Sequence, residues 1–210
     1  ETGIKMSAGV TPLLSSKWDQ RCWYNDSCPA DPVAPAYFCA KAPAGCVATT
    51  LTQIMKYHKW PLQGTGTKSY YSPRYGTIAA NFGSTSYNIA AMPDMIYGSN
   101  PAVAQLLWHA GVASQMNYGP MASGTGIMDA RSALINYFGY NPSAQIVVKS
   151  AYSDPDGKNL MRNEIDHGRP VFYSGVDQAT SSGHAWVLDG YAGTDYFHCN
   201  WGWSGIADGY

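Results

Sequence analysis

A chain of 210 residues with 45% hydrophobic side chains can bury one substantial core, or two small lobes that share a cleft. Thirteen basic residues nearly balance fourteen acidic ones, and no basic run or acidic tail interrupts the chain, which argues against a nucleic-acid partner. No apolar stretch reaches the roughly 18–20 residues of a membrane span, and 22 Gly, 16 Tyr and 7 Trp beside 13% charged residues describe a loop-rich chain packed on aromatics.

Glu1-Thr2-Gly3 fits no helix or strand signal and reads as a processing or expression remnant. The next forty residues are punctuated by Pro and Gly; "NDSCPADPVAP" sustains no period. From Cys46, the residues Val47, Leu51, Ile54, Met55 and His58 recur at helical spacing until Trp60-Pro61 stops the run, predicting a mostly buried helix. Residues 62–92 return to Gly, Ser and Tyr with weak alternation. Ser99 or Asn100 then caps a helix that begins at Pro101 and ends near Gly111, and a third helix runs from about Met128 to Phe138 with Gly139 as its stop. The last third holds "GRPVFYSGV", "HAWVLDGY" and "DYFHCNW", short β-rich runs separated by turns. A helical half (about 1–140) and a sheet-rich half (about 141–210) predict an α+β protein, one unit of two subdomains with a cleft between them.

A cysteine in the first turn of a helix feels unsatisfied N–H groups that favour thiolate, so Cys46 is placed to be a nucleophile. "SGHAWVLDGYAGTDYFHCNWGW" reads as a hairpin turning around Ala192–Thr194, which brings His184 opposite a residue near 200. Asn200 sits there. Its side-chain carbonyl would hold one imidazole proton and leave the other ring nitrogen to exchange a proton with a thiol, while Trp201 and Trp203 would wall the pair off from water. The other histidines, His58, His109, His167 and His198, read as surface or satisfied core residues. Gln20, in "KWDQRCWYN", is the upstream amide that would stabilise an oxyanion beside the Cys46 N–H. The cysteine spacings match no zinc pattern, and no metal or other cofactor is expected. Five cysteines allow Cys22, Cys28, Cys39 and Cys199 to form up to two disulfides in three pairings, leaving Cys46 free.

The segments "AGCVATTLTQIMKYHKWP", "NYFGYN", "GHAWVLDGY", "NWGWSGIADGY" and "PLLSSKWDQRCWYN" together resemble the streptopain family of bacterial secreted cysteine peptidases over nearly the whole chain. The resemblance implies a papain-like fold and an endopeptidase acting on protein or peptide substrates, secreted to an extracellular location and made as a zymogen whose N-terminal propeptide inhibits it. It places nucleophile, base, oxyanion donor, orienting asparagine and shielding tryptophan on Cys46, His184, Gln20, Asn200 and Trp201. It adds Met121, Ala122 and Ser123 of "NYGPMASGTG", with Gly45, Gly183 and Trp203, as substrate contacts, and implies a hydrophobic residue two positions before the cut. Family members continue past "DGY" into further strands and a glycine-rich loop, so a sheet ending at Tyr210 is expected to lack its last strands. A binding module that has lost activity, or an acyl transferase using the same Cys-His chemistry, are the alternative readings.

Overall fold

The computed structural model describes residues 9–210; Glu1-Thr2-Gly3 lies outside them. A single helix organises the interior. Helix α1, Cys46–His58, follows Gly45, whose φ of 90° aims the chain into the helix, and ends at Lys59 in the left-handed conformation. Its residues Val47–Met55 are all buried, including three threonines and Gln53, as befits a helix enclosed on every side. Thr49 and Thr52 make this tolerable by donating their hydroxyls to the carbonyls of Gly45 and Ala48 (3.1 and 2.8 Å). Full burial of Leu51 and Met55 contributes about 1.5–3 kcal/mol each.

Helix α2, Pro101–Ala113, packs against α1 and is capped by Asn100, whose side-chain oxygen accepts from the Val103 N–H at 3.0 Å. It runs past Gly111 rather than ending there. That glycine is required by close packing, because a Cβ would lie 2.1 Å from the Tyr118 hydroxyl. Helix α3, Ile127–Phe138, stops at Gly139 (φ 66°). Between α1 and α2 an antiparallel hairpin forms from β2, Thr67–Ser72, and β3, Gly76–Asn81.

The second half is not purely sheet. Helix α4, Asp154–Asp166, starts at Ser153, whose hydroxyl accepts from the Asp156 N–H, with Pro155 in the first turn. The main sheet comprises β1 (Gly9–Val10), β4 (Val171–Val176), β5 (Gly183–Ala192) and β6 (Tyr196–Asn200), all antiparallel. Strand β5 is its centre: β4 and then β1 pair along one edge, and β6 pairs along the other. Three elements cross the expected halves: β2–β3 lie in the first half, α4 in the second, and β1 joins the distant sheet. The two-residue β1 is held by its pairing with β5 rather than by local pattern. After β6 the chain returns to the sheet, with Cys199 and Gly209 exchanging both backbone bonds. Helix α1 packs on β5, and this contact sets the site.

Candidate active site

The α1 N-terminus and the start of β5 open into a cleft of about 470 Å³. Gly45 is needed here because a Cβ would meet the Met116 side chain at 2.8 Å and the Ser123 carbonyl at 3.0 Å. Cys46 lines the cleft and stays a free thiol. Burial raises its pKa above the ordinary thiol value; backbone N–H groups of Ala185, Val47 and Cys46 itself oppose that only in part. The expectation that a helix start alone would favour thiolate is thus corrected: desolvation wins, and a proton acceptor has to make up the difference.

His184 lines the same cleft from β5, opposite Gly175 of β4. Its Nε2 lies 2.9 Å from the Trp201 carbonyl oxygen. Since a carbonyl only accepts, Nε2 carries the proton and Nδ1 is left as the free base of the ring. Burial lowers the imidazole pKa, and the Trp201 bond partly offsets this. The ring is packed among tryptophans, 4.9 Å from Trp203 and about 6 Å from Trp186 and Trp201.

The partner of His184 is therefore not Asn200. A register shift between Leu188 and Gly190 puts Asn200 opposite Val187, three residues from His184, and the ladder ends there. The Asn200 side chain is buried and points to Gln53 of α1: its Oδ1 accepts from Gln53 Nε2 (3.0 Å) and the Gly202 N–H (3.2 Å), while its Nδ2 donates to the Ser16 carbonyl (2.8 Å). Asn200 anchors the end of β6; the next residue's backbone, from Trp201, fixes the imidazole.

Gln20 lines the cleft, and its carbonyl accepts from the Ala44 N–H at 2.9 Å, holding it beside the approach to Cys46. Gly183, Met121, Ala122, Ser123 and Trp203 also face the cleft, whereas Gly45, Asn200 and Trp201 lie behind its wall. Sequence reasoning passed over Asp19, Arg21, Phe38, Pro43 and Ile206, which complete the lining. The first two were legible as oppositely charged residues flanking Gln20; the others have no local signal. Among the described residues, no group of three or more His, Cys, Asp or Glu side chains is arranged to hold a metal, and no helix is long and apolar enough to cross a membrane.

Of the possible disulfides, Cys22–Cys39 forms. Cys28 is a free buried thiol pushed up to about 12 by desolvation, and Cys199 is free and half-buried.

The sequence profile of the Peptidase C10 family matches residues 18–210. The chain belongs to that family. Among Peptidase C10 relatives, it is 34% identical to streptopain of Streptococcus pyogenes over 181 residues, and 35% identical to the thiol protease/hemagglutinin PrtT of Porphyromonas gingivalis over 217 aligned positions. The matches cover 80% and 100% of this chain but only 45% of streptopain and 23% of PrtT. Active interpain A cysteine protease of Prevotella intermedia superposes with a TM-score of 0.86 at 33% identity, covering 98% of this chain and 87% of that one. A prointerpain A fragment from the same organism gives 0.86 at 34% identity, covering 98% of this chain and 66% of the fragment. The α+β, papain-like architecture is that of these cysteine proteases.

Proposed function

We propose that residues 1–210 are a single catalytic domain of a cysteine endopeptidase that hydrolyses protein substrates through Cys46 and His184. The observation that carries this reading is the free Cys46 thiol and the His184 ring, with Nδ1 unprotonated, lining one cleft. As substrate binds, Cys46 passes its proton to Nδ1 and the thiolate attacks the peptide carbonyl. The Gln20 amide and the Cys46 N–H hold the oxyanion. His184 returns the proton to the departing amine, then takes one from water, and the resulting hydroxide cleaves the thioester. Trp201 keeps the tautomer through its carbonyl, and Trp203 covers the ring.

Met121, Ala122, Ser123 and Gly183 form the wall against which a hydrophobic P2 residue would rest. Membership of a family whose relatives include a pro-form supports an inhibitory N-terminal propeptide. The Cys22–Cys39 bridge supports an oxidising, extracellular setting. The test is labelling with an epoxide cysteine-peptidase inhibitor, peptide mapping and casein digestion, beside Cys46→Ala. Stoichiometric modification of Cys46 and casein cleavage abolished by the substitution are expected. A folded, reduced protein that shows neither would overturn the reading in favour of a binding module.

A further inference from the structure

Among the cleft-lining residues, only Asp19 and Arg21 carry permanent charge, and they are not equally presented. The Asp19 side chain is 3% exposed and that of Arg21 40%. Every acceptor site of Asp19 is engaged. Its Oδ1 accepts from the backbone N–H groups of Gln20 (2.6 Å) and Arg21 (3.1 Å), and its Oδ2 from the Ser204 hydroxyl (2.8 Å). Arg21 Nε bridges both oxygens (3.0 and 2.9 Å) and Nη2 reaches Oδ2 (2.5 Å). The carboxylate is thus hidden behind the guanidinium, and the fork is held rigid. Arg21 Nη1 takes no hydrogen-bond partner among the described residues, so the group turned to the cleft is a fixed cation with donors unspent.

Arg21 directly follows Gln20, so its Cα lies about 3.8 Å from that of the residue assigned to the oxyanion. An extended substrate whose scissile carbonyl faces Gln20 brings the side chain on one side of the cut within reach of the guanidinium. We propose that Arg21 makes this cleft select an acidic side chain at P1 or P1′, adding a charge requirement to the hydrophobic P2 contact. The inference rests on the peptidase reading for its placement of the scissile bond.

The test uses quenched fluorescent peptides that share a hydrophobic P2 residue and carry Glu, Gln or Lys at P1, and a second set varied at P1′. In one of the two sets kcat/KM is expected to be about fivefold higher for Glu than Gln, as for a half-exposed ion pair, with Lys lowest and the difference residing in KM. Raising salt narrows the gap. Arg21→Gln brings the Glu/Gln ratio close to one, and Arg21→Lys retains part of it. The double variant Asp19→Asn/Arg21→Gln, which leaves no buried carboxylate without its partner, gives the same ratio as Arg21→Gln. Equal cleavage of Glu and Gln peptides in both sets, or an Arg21→Gln loss that is uniform across all peptides, overturns the inference. Fluorescence anisotropy of the same peptides on Cys46→Ala separates the two readings. Tighter binding of Glu peptides with no cleavage by the Cys46 protein supports the cationic subsite while refuting the peptidase, and equal affinities refute the subsite whatever the activity.

Discussion

Asn200→Ala separates two roles for a residue that the sequence places beside the histidine and the structure places beneath it. The substitution removes an acceptor for Gln53 Nε2 and the Gly202 N–H, and a donor to the Ser16 carbonyl. Gln53 is fully buried, so its orphaned amide cannot turn to water, while its Oε1 keeps the Trp18 N–H and Ser16 hydroxyl at 3.1 Å. Stranded buried groups cost about 1–3 kcal/mol each, so two to three of them predict a loss of at least about 2 kcal/mol and up to about 9 kcal/mol. Urea unfolding should show the midpoint falling with the slope unchanged. The protein that remains folded should keep the pH profile of kcat/KM, because the Trp201 carbonyl still fixes the imidazole. A variant with near-normal stability, within about 1 kcal/mol, but a collapsed kcat would refute this and return Asn200 to direct contact with His184.

The other predictions address the loop, the bridge and acid stability. Gly202→Ala should destabilise by about 1–3 kcal/mol, measured by thermal unfolding, since φ is +70° and the new Cβ meets Thr49 Cγ2 at 3.0 Å. Cys22→Ala/Cys39→Ala should cost about 3 kcal/mol, because the bridge spans a separation of 17 residues; an unchanged urea midpoint would disprove that. His109 is held down to about 4 by burial and bonds the Tyr87 hydroxyl at 2.8 Å. The unfolded chain therefore binds its proton first, and stability should fall as pH drops from about 6.5 towards 4, a slope that His109→Gln should flatten. Asp31 is held below the usual carboxylate range by its hydrogen bonds from Arg74, then Tyr75. Its stabilisation is complete above its unfolded pKa of about 4 and is lost as pH falls further, a loss that Arg74→Ala should reduce in acid-titrated urea midpoints.

What the sequence disclosed is what local chemistry dictates. Cys46–His58 was legible from its apolar spacing between Gly45 and Trp60-Pro61, Pro101 from its position after Asn100, and the α3 stop from Gly139. Helix α4 was not, because Leu160, Met161 and Ile165 are its only large apolar residues, a face too short to sustain a period in an otherwise polar segment; the Ser153-Asp154-Pro155-Asp156 cap was the missed signal. Gly111 misled because a glycine that makes room for Tyr118 is indistinguishable in sequence from one that ends a helix. The shared cleft of Cys46, Gln20 and His184 followed from residue type and order. The role of Asn200 did not, since the β5–β6 register pairs it with Val187 rather than His184, and the group that meets the imidazole is the backbone carbonyl of Trp201, which no residue type announces.

Asp19 joins segments 185 residues apart through the Ser204 hydroxyl, and the Ser204 N–H adds a bond to the Trp18 carbonyl at 3.2 Å. The strip that carries Gln20 and the loop that carries Trp203 are therefore sutured at one end of the cleft. Its aperture is set when the chain folds, and the ordering entropy of both walls is met before any peptide arrives. Heat should then extinguish turnover and global structure over the same few degrees, as in a machine with no separate latch to fail first.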